Sequence, residues 1–112
     1  MADVKKLIAE IRDDREFAQA AAVVDLVREV GDMLERMRTH AGLTQVQLAE
    51  RLEISAGRVS QLESGMLRHA PSLKMVAQFA TACGERVEMA SSGEKIEMAL
   101  SGEKVARSFT VE

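Results

Sequence analysis

The chain has 112 residues, 46% apolar and 29% charged, which suits one folded domain of ordinary size with extensions. Three Phe, no Trp and no Tyr leave too few aromatic faces for the base-stacking platforms of RNA-binding or single-strand-binding modules, and one Cys excludes an internal disulfide and a cysteine zinc site. The net charge of −3 speaks against a generally basic polyanion binder, yet it is unevenly spread: residues 1–35 carry nine acids against five bases, residues 36–69 five Arg against three Glu, and residues 70–112 five bases against six acids.

Val4, Leu7, Ile8 and Ile11 recur at i, i+3, i+4 and i+7, predicting an amphipathic helix over Asp3 to Arg12 with Lys5, Lys6, Glu10 and Arg12 on its wet side. It is too short to persist undocked, and Asp13-Asp14 is expected to break it. A second helix is expected from about Glu16 to Thr39, with Val23, Val27, Val30, Leu34 and Met37 along one stripe and Gly31 as the place for a kink. Thr44 and Gln47 have the spacing of a capping box, so another helix starts there, with Val46, Leu48, Ala49 and Leu52 as its apolar surface. Ser55 repeats the cap signal for Ala56 to Ser64, which is expected to bury Val59 and Leu62 before Gly65 stops it.

Met66 to Pro71 reads as a loop. Ser72 then caps a helix running to Cys83, with Gly84 at its end and a buried stripe of Leu73, Val76, Ala77, Ala80 and Cys83. Cys83 is accordingly expected to be a buried, inert thiol. From Arg86 the period changes to two: 86–90, 95–100 and 104–111 alternate apolar and polar residues, and Ser-Gly-Glu-Lys occurs at 92–95 and again at 101–104. A two- or three-stranded meander is expected, with an apolar face of Val87, Met89, Ile96, Met98 and Leu100 that a second copy of the chain would cover by pairing strand edges. The N-terminal helix is the competing cover.

Two short helices that each follow a hydroxyl cap and are joined by a tight turn must cross steeply and need neighbours on both sides. The set Arg38, Ala41-Gly42-Leu43-Thr44-Gln45, Leu48-Ala49, Ile54-Ser55, Val59-Ser60, Leu62-Glu63-Ser64-Gly65 and Pro71-Ser72-Leu73 resembles the helix-turn-helix of the Cro and phage-repressor (XRE) family over residues 33 to 84. The resemblance implies a mainly α fold: a repressor-like bundle of about five helices with a short C-terminal β-hairpin or meander. Expected divisions are an N-terminal helical extension over 1–30, the helix-turn-helix domain over 31–84, and strands for dimerisation over 85–112. Arg12-Asp13-Asp14-Arg15-Glu16-Phe17, leading straight into the first domain helix, looks like the lead-in of HigA-like antitoxins, which are encoded with a RelE-like ribonuclease toxin. That family usually has a proline after the aspartate, where this chain has Asp14-Arg15.

In the XRE family the second helix of the pair enters the major groove of duplex DNA. The resemblance therefore implies base readout by Ala56, Gly57, Ser60 and Gln61, with Thr44 and Ser55 at the helix starts. Many relatives carry longer polar side chains where this chain has Ala56-Gly57. Ala56 can still touch a thymine methyl and Gln61 can pair bidentately with adenine. Gln45, Arg58, Arg68 and His69 are expected at phosphates, with Arg58 equally able to read guanine, whereas Glu63 would repel phosphate and serves the fold. No enzyme, cofactor or metal site is expected, because two histidines, one cysteine and no glycine-rich phosphate loop give no convergent chemistry. No apolar run approaches the ~20 residues of a membrane span and no apolar signal core opens the chain, so the expected location is cytoplasmic. Three partners follow: an operator in double-stranded DNA, a second copy of the chain and a RelE/HigB-like toxin. The alternatives are a stand-alone or phage-derived regulator, and a repressor-like protein-interaction module with weak DNA binding.

Overall fold

The computed structural model describes residues 4–7, 10, 15–92, 95–100 and 106–110. Residues 4–7 and 10 are helical and exposed, in keeping with the expected first helix; Ile8, Ile11 and the expected break at Asp13-Asp14 lie outside the described residues. Helix α1 (Arg15–His40) is followed by α2 (Gln45–Leu52), α3 (Ala56–Glu63), a 3-10 turn at Leu67–His69, and α4 (Leu73–Ala82). Strands β1 (Val87–Ser92), β2 (Lys95–Leu100) and β3 (Ala106–Thr110) then form an antiparallel meander in the order β1-β2-β3. The fold is a mainly helical helix-turn-helix bundle with a C-terminal meander, as expected.

The helix starts are set locally. The Thr44 hydroxyl accepts from the Gln47 N–H at 3.1 Å and the Thr44 N–H donates to Gln47 Oε1 at 2.9 Å, a complete capping box. The Ser55 and Ser72 hydroxyls accept from the N–H groups of Arg58 and Met75 at 3.0 and 3.1 Å. Helix α2 ends at Glu53, which takes the left-handed conformation (φ 58) so that the chain can reverse into Ser55 within three residues.

Among the described residues the core consists of Met33, Leu34 and Met37 from α1, Leu48 and Ala49 from α2, Val59 and Leu62 from α3, and Val76, Phe79 and Ala80 from α4. Several positions differ from the sequence pattern. Met33, not Val23, belongs to the buried stripe of α1, because the core begins only at Gly31 and Val23 lies two turns before it. Val46 is exposed, since in an eight-residue helix that buries Leu48 and Ala49 it falls on the opposite side. In α4 the buried set is Val76, Phe79 and Ala80; Leu73, in the first turn, and Ala77 stay exposed.

Helix α1 is continuous through Gly31. Gly31 permits a close crossing, for a Cβ there would stand 2.8 Å from the Gly65 N and 2.9 Å from the Glu63 carbonyl oxygen. Gly65, at φ 71, meets the same constraint from the Arg28 Cα at 2.8 Å. Two glycines thus let α1 lie directly on the end of α3.

Candidate nucleic-acid interface

Helix α3 buries one side and shows the other. Val59, Leu62 and Glu63 face inward, while Gly57, Ser60, Gln61 and Ser64 are exposed at i, i+3, i+4 and i+7. Three of the four residues expected to read bases therefore share one open face. The fourth, Ala56, is half-buried and packs against the core. Gly57 has open space around it, its nearest neighbour for an added Cβ being Ser55 Oγ at 3.9 Å.

Arg58 is half-buried at the flank of this face. Arg68 is exposed and His69 half-buried, both in the 3-10 turn that follows Gly65 and closes with a bond from the His69 N–H to the Met66 carbonyl at 2.9 Å. Thr44 and Ser55 are exposed at the starts of α2 and α3. Each spends one hydroxyl lone pair on a cap, leaving the hydroxyl proton and the first backbone N–H groups of the helix for an outside acceptor.

Gln45 is less free than its position suggests. Its Nε2 donates to Glu63 Oε1 at 3.2 Å, which ties the first residue of α2 to the last residue of α3. Glu63 is in turn gripped by Arg38, whose Nε donates to Oε2 at 2.7 Å and whose Nη2 donates to Oε1 at 3.0 Å, while Nη1 donates to the Leu43 carbonyl at 2.9 Å. The pair is shielded, with side-chain exposures of 12% for Arg38 and 4% for Glu63. This hydrogen bond holds the Arg38 guanidinium above its ordinary pKa, against the opposing effect of burial. One carboxylate therefore joins α1, α2 and α3, in keeping with the expected role of Glu63 in the fold. Arg38 was legible as a matching position but not as its partner, because they stand 25 residues apart.

Cys83 caps the C-terminus of α4 and is half-buried. Burial, with the nearby Glu85 carboxylate, pushes its thiol up from 9.0 to about 11, so it is protonated and unreactive at neutral pH.

A helix-turn-helix domain family model matches residues 29–91, more than half of the chain. The chain belongs to this family of helix-turn-helix domains, which is of the XRE-like type. A search of curated proteins finds no match. Family membership makes this a DNA-binding regulator, in a family that is typically non-enzymatic. Among the described residues no helix is long and apolar enough to cross a membrane.

Proposed function

We propose that the chain is a sequence-specific transcriptional repressor that binds a pseudo-palindromic DNA operator as a homodimer and serves as the antitoxin of a toxin–antitoxin pair. The observation that carries the DNA reading is the open α3 face of Gly57, Ser60 and Gln61, held rigidly by the Arg38–Glu63–Gln45 network. Laid in a major groove, this face brings Gln61 to a base edge, with Ala56 at the rim and Gly57 allowing close approach. Arg58, Arg68 and His69 flank the groove. Thr44, Gln45 and Ser55 offer the helix starts, where positive dipole ends favour phosphate.

Selection of duplexes from random genomic fragments tests this reading, and a folded, dimeric protein that selects none at low salt would sink it. Gln61→Ala is expected to cost about 1–3 kcal/mol at one base position and relax preference there. Arg68→Ala is expected to weaken all sequences alike and lower the salt slope by about one unit. A base-selective loss for Arg68→Ala with an unchanged slope would contradict its assignment to phosphate.

The antitoxin reading is supported by the HigA-like lead-in over residues 12–17 and by Val4 and Leu7, which stand exposed on the first helix. Deleting residues 1–14 should leave operator binding intact and abolish toxin inhibition in co-expression. A second reading, a protein-interaction module with weak DNA binding, is favoured by the short side chains of Ala56 and Gly57 and the net charge of −3. Operator selection separates the two.

A further inference from the structure

The open face of α3 continues past the end of the helix. Ser64, which closes that face, accepts at Oγ from the Met66 N–H at 3.4 Å, and the chain passes at once into the 3-10 turn Leu67–His69. The turn is fixed in place: Gly65 lies against Arg28, α1 packs on the turn, and the His69 N–H closes it on the Met66 carbonyl. At this corner Met66 is 58% and Leu67 55% exposed, two large apolar side chains left in water. The charge around them is one-sided. Between Glu53 and Glu85 the chain has a single acid, Glu63, which is buried and gripped by Arg38, while Arg58, Arg68, His69 and Lys74 fall in the same stretch. A chain of net charge −3 thus presents, from α3 to the start of α4, apolar and basic side chains with no open carboxylate in that segment.

We propose that the Met66–Leu67 corner is a second DNA contact, its apolar side chains lying on the sugar walls of the minor groove that borders each half-site, with Arg68 at the adjoining phosphate. The eight residues of α3 make about 12 Å of helix, which matches the ~12 Å width of the major groove. With the first turn of α3 at the base edges, the chain leaving its far end comes out at the phosphate ridge between that groove and the next minor groove. Apolar side chains placed there respond to groove width and deformability rather than to base edges. They also add contact that α3 lacks, since Gly57, Ser60 and Ser64 have little reach. The charges favour DNA over protein as the occupant. A basic protein would meet Arg68 and Lys74 with no carboxylate of this segment to answer it, and a second copy set symmetrically on the same corner would bring Arg68 towards Arg68.

This assignment rests on the proposed DNA reading, and hydroxyl-radical footprinting of the full-length protein on a duplex it has selected separates the two. The expected footprint protects sugars along the minor groove just outside the bases that depend on Gln61. The double variant Met66→Ser with Leu67→Ser, both at exposed positions, should keep native circular dichroism, lose those flanking protections and bind about tenfold more weakly. Its salt slope should equal that of the wild type, because no charge is removed, and its base preference at the Gln61 position should be unchanged. The exchange Met66→Leu with Leu67→Met keeps the apolar surface and should restore both footprint and affinity. Replacing flanking A·T pairs by G·C should change the affinity of the wild type but not of the double serine variant. A wild type that binds its duplex without flanking protection, or a double serine variant with the wild-type footprint and affinity, overturns this proposal and leaves the DNA reading standing. A double serine variant that sediments as a smaller species than the wild type shows that the corner holds protein, which also overturns it. A wild type that selects no duplex at low salt overturns the DNA reading and this contact together.

Discussion

The glycines of this chain do opposite work at positions that look alike in sequence. Gly57 is helical, exposed and surrounded by open space, so Gly57→Ala should raise stability by about 1 kcal/mol through helix propensity alone. Gly31 is also helical, but an added methyl there meets backbone of Glu63 and Gly65 closer than 3.0 Å. Gly31→Ala should therefore cost about 2 kcal/mol net of the same propensity gain, since α1 must move off α3. Urea denaturation of the two variants reads both signs in one experiment. Cys83 gives a residue-scale prediction in pH. Its folded-state pKa is raised, so its contribution to stability is complete below 9.0 and is lost as pH rises through about 11. Alkylation of the thiol should be slow at pH 8 and climb with a midpoint near 11 rather than 9.0.

At the scale of elements, what could be read from the sequence depended on the range of the interaction. Thr44, Ser55 and Ser72 cap their helices through bonds spanning three residues, so the starts of α2, α3 and α4 were visible in the chain itself. The open face of α3 was visible for the same reason, because burial of Val59 and Leu62 fixes where Gly57, Ser60 and Gln61 point. Val46 and Leu73 fit a buried stripe by pattern yet are exposed, because eight or ten residues of apolar pattern fit more than one facing direction and only the neighbouring helices choose between them. The Arg38–Glu63–Gln45 network was not legible, since it joins three helices across 25 and 18 residues. Removing one partner exposes its weight: Arg38→Ala strands the buried Glu63 carboxylate and should cost about 3 kcal/mol. The double variant Arg38→Met with Glu63→Leu should recover most of that loss, because a shielded ion pair and an apolar pair of similar volume differ little in net stability. Equilibrium unfolding of both variants, compared at one pH near neutrality, is the measurement. Because the guanidinium pKa is raised, its part of the pair is fully present at every pH below its ordinary value and is lost only above it, so moderate changes of pH do not switch it.

For the whole molecule, an acidic chain must bind a polyanion through a small basic region. The excess of five Arg over three Glu lies within residues 36–69, which hold α2, α3 and the 3-10 turn, while the acids concentrate in residues 1–35. One such region gives few phosphate contacts, so useful affinity at physiological salt requires two copies acting together. In the proposed dimer, operator binding would then depend on the residues that join the copies, and truncation after Gly84 tests the dependence. The ten buried core residues among those whose side chains are described lie between Met33 and Ala80, so the shortened chain should keep the helix-turn-helix bundle and its α3 face. It loses the sheet, the segment expected from the sequence to join two copies. Sedimentation should give a monomer that still unfolds cooperatively. Gel shifts should then show the full chain preferring a two-half-site duplex over a single half-site by about 10²-fold or more, the gain expected when the second binding event becomes intramolecular. The truncated chain should bind both duplexes alike and weakly. A truncated chain that remains a dimer and keeps the two-half-site preference would place the joint between copies in the helices instead.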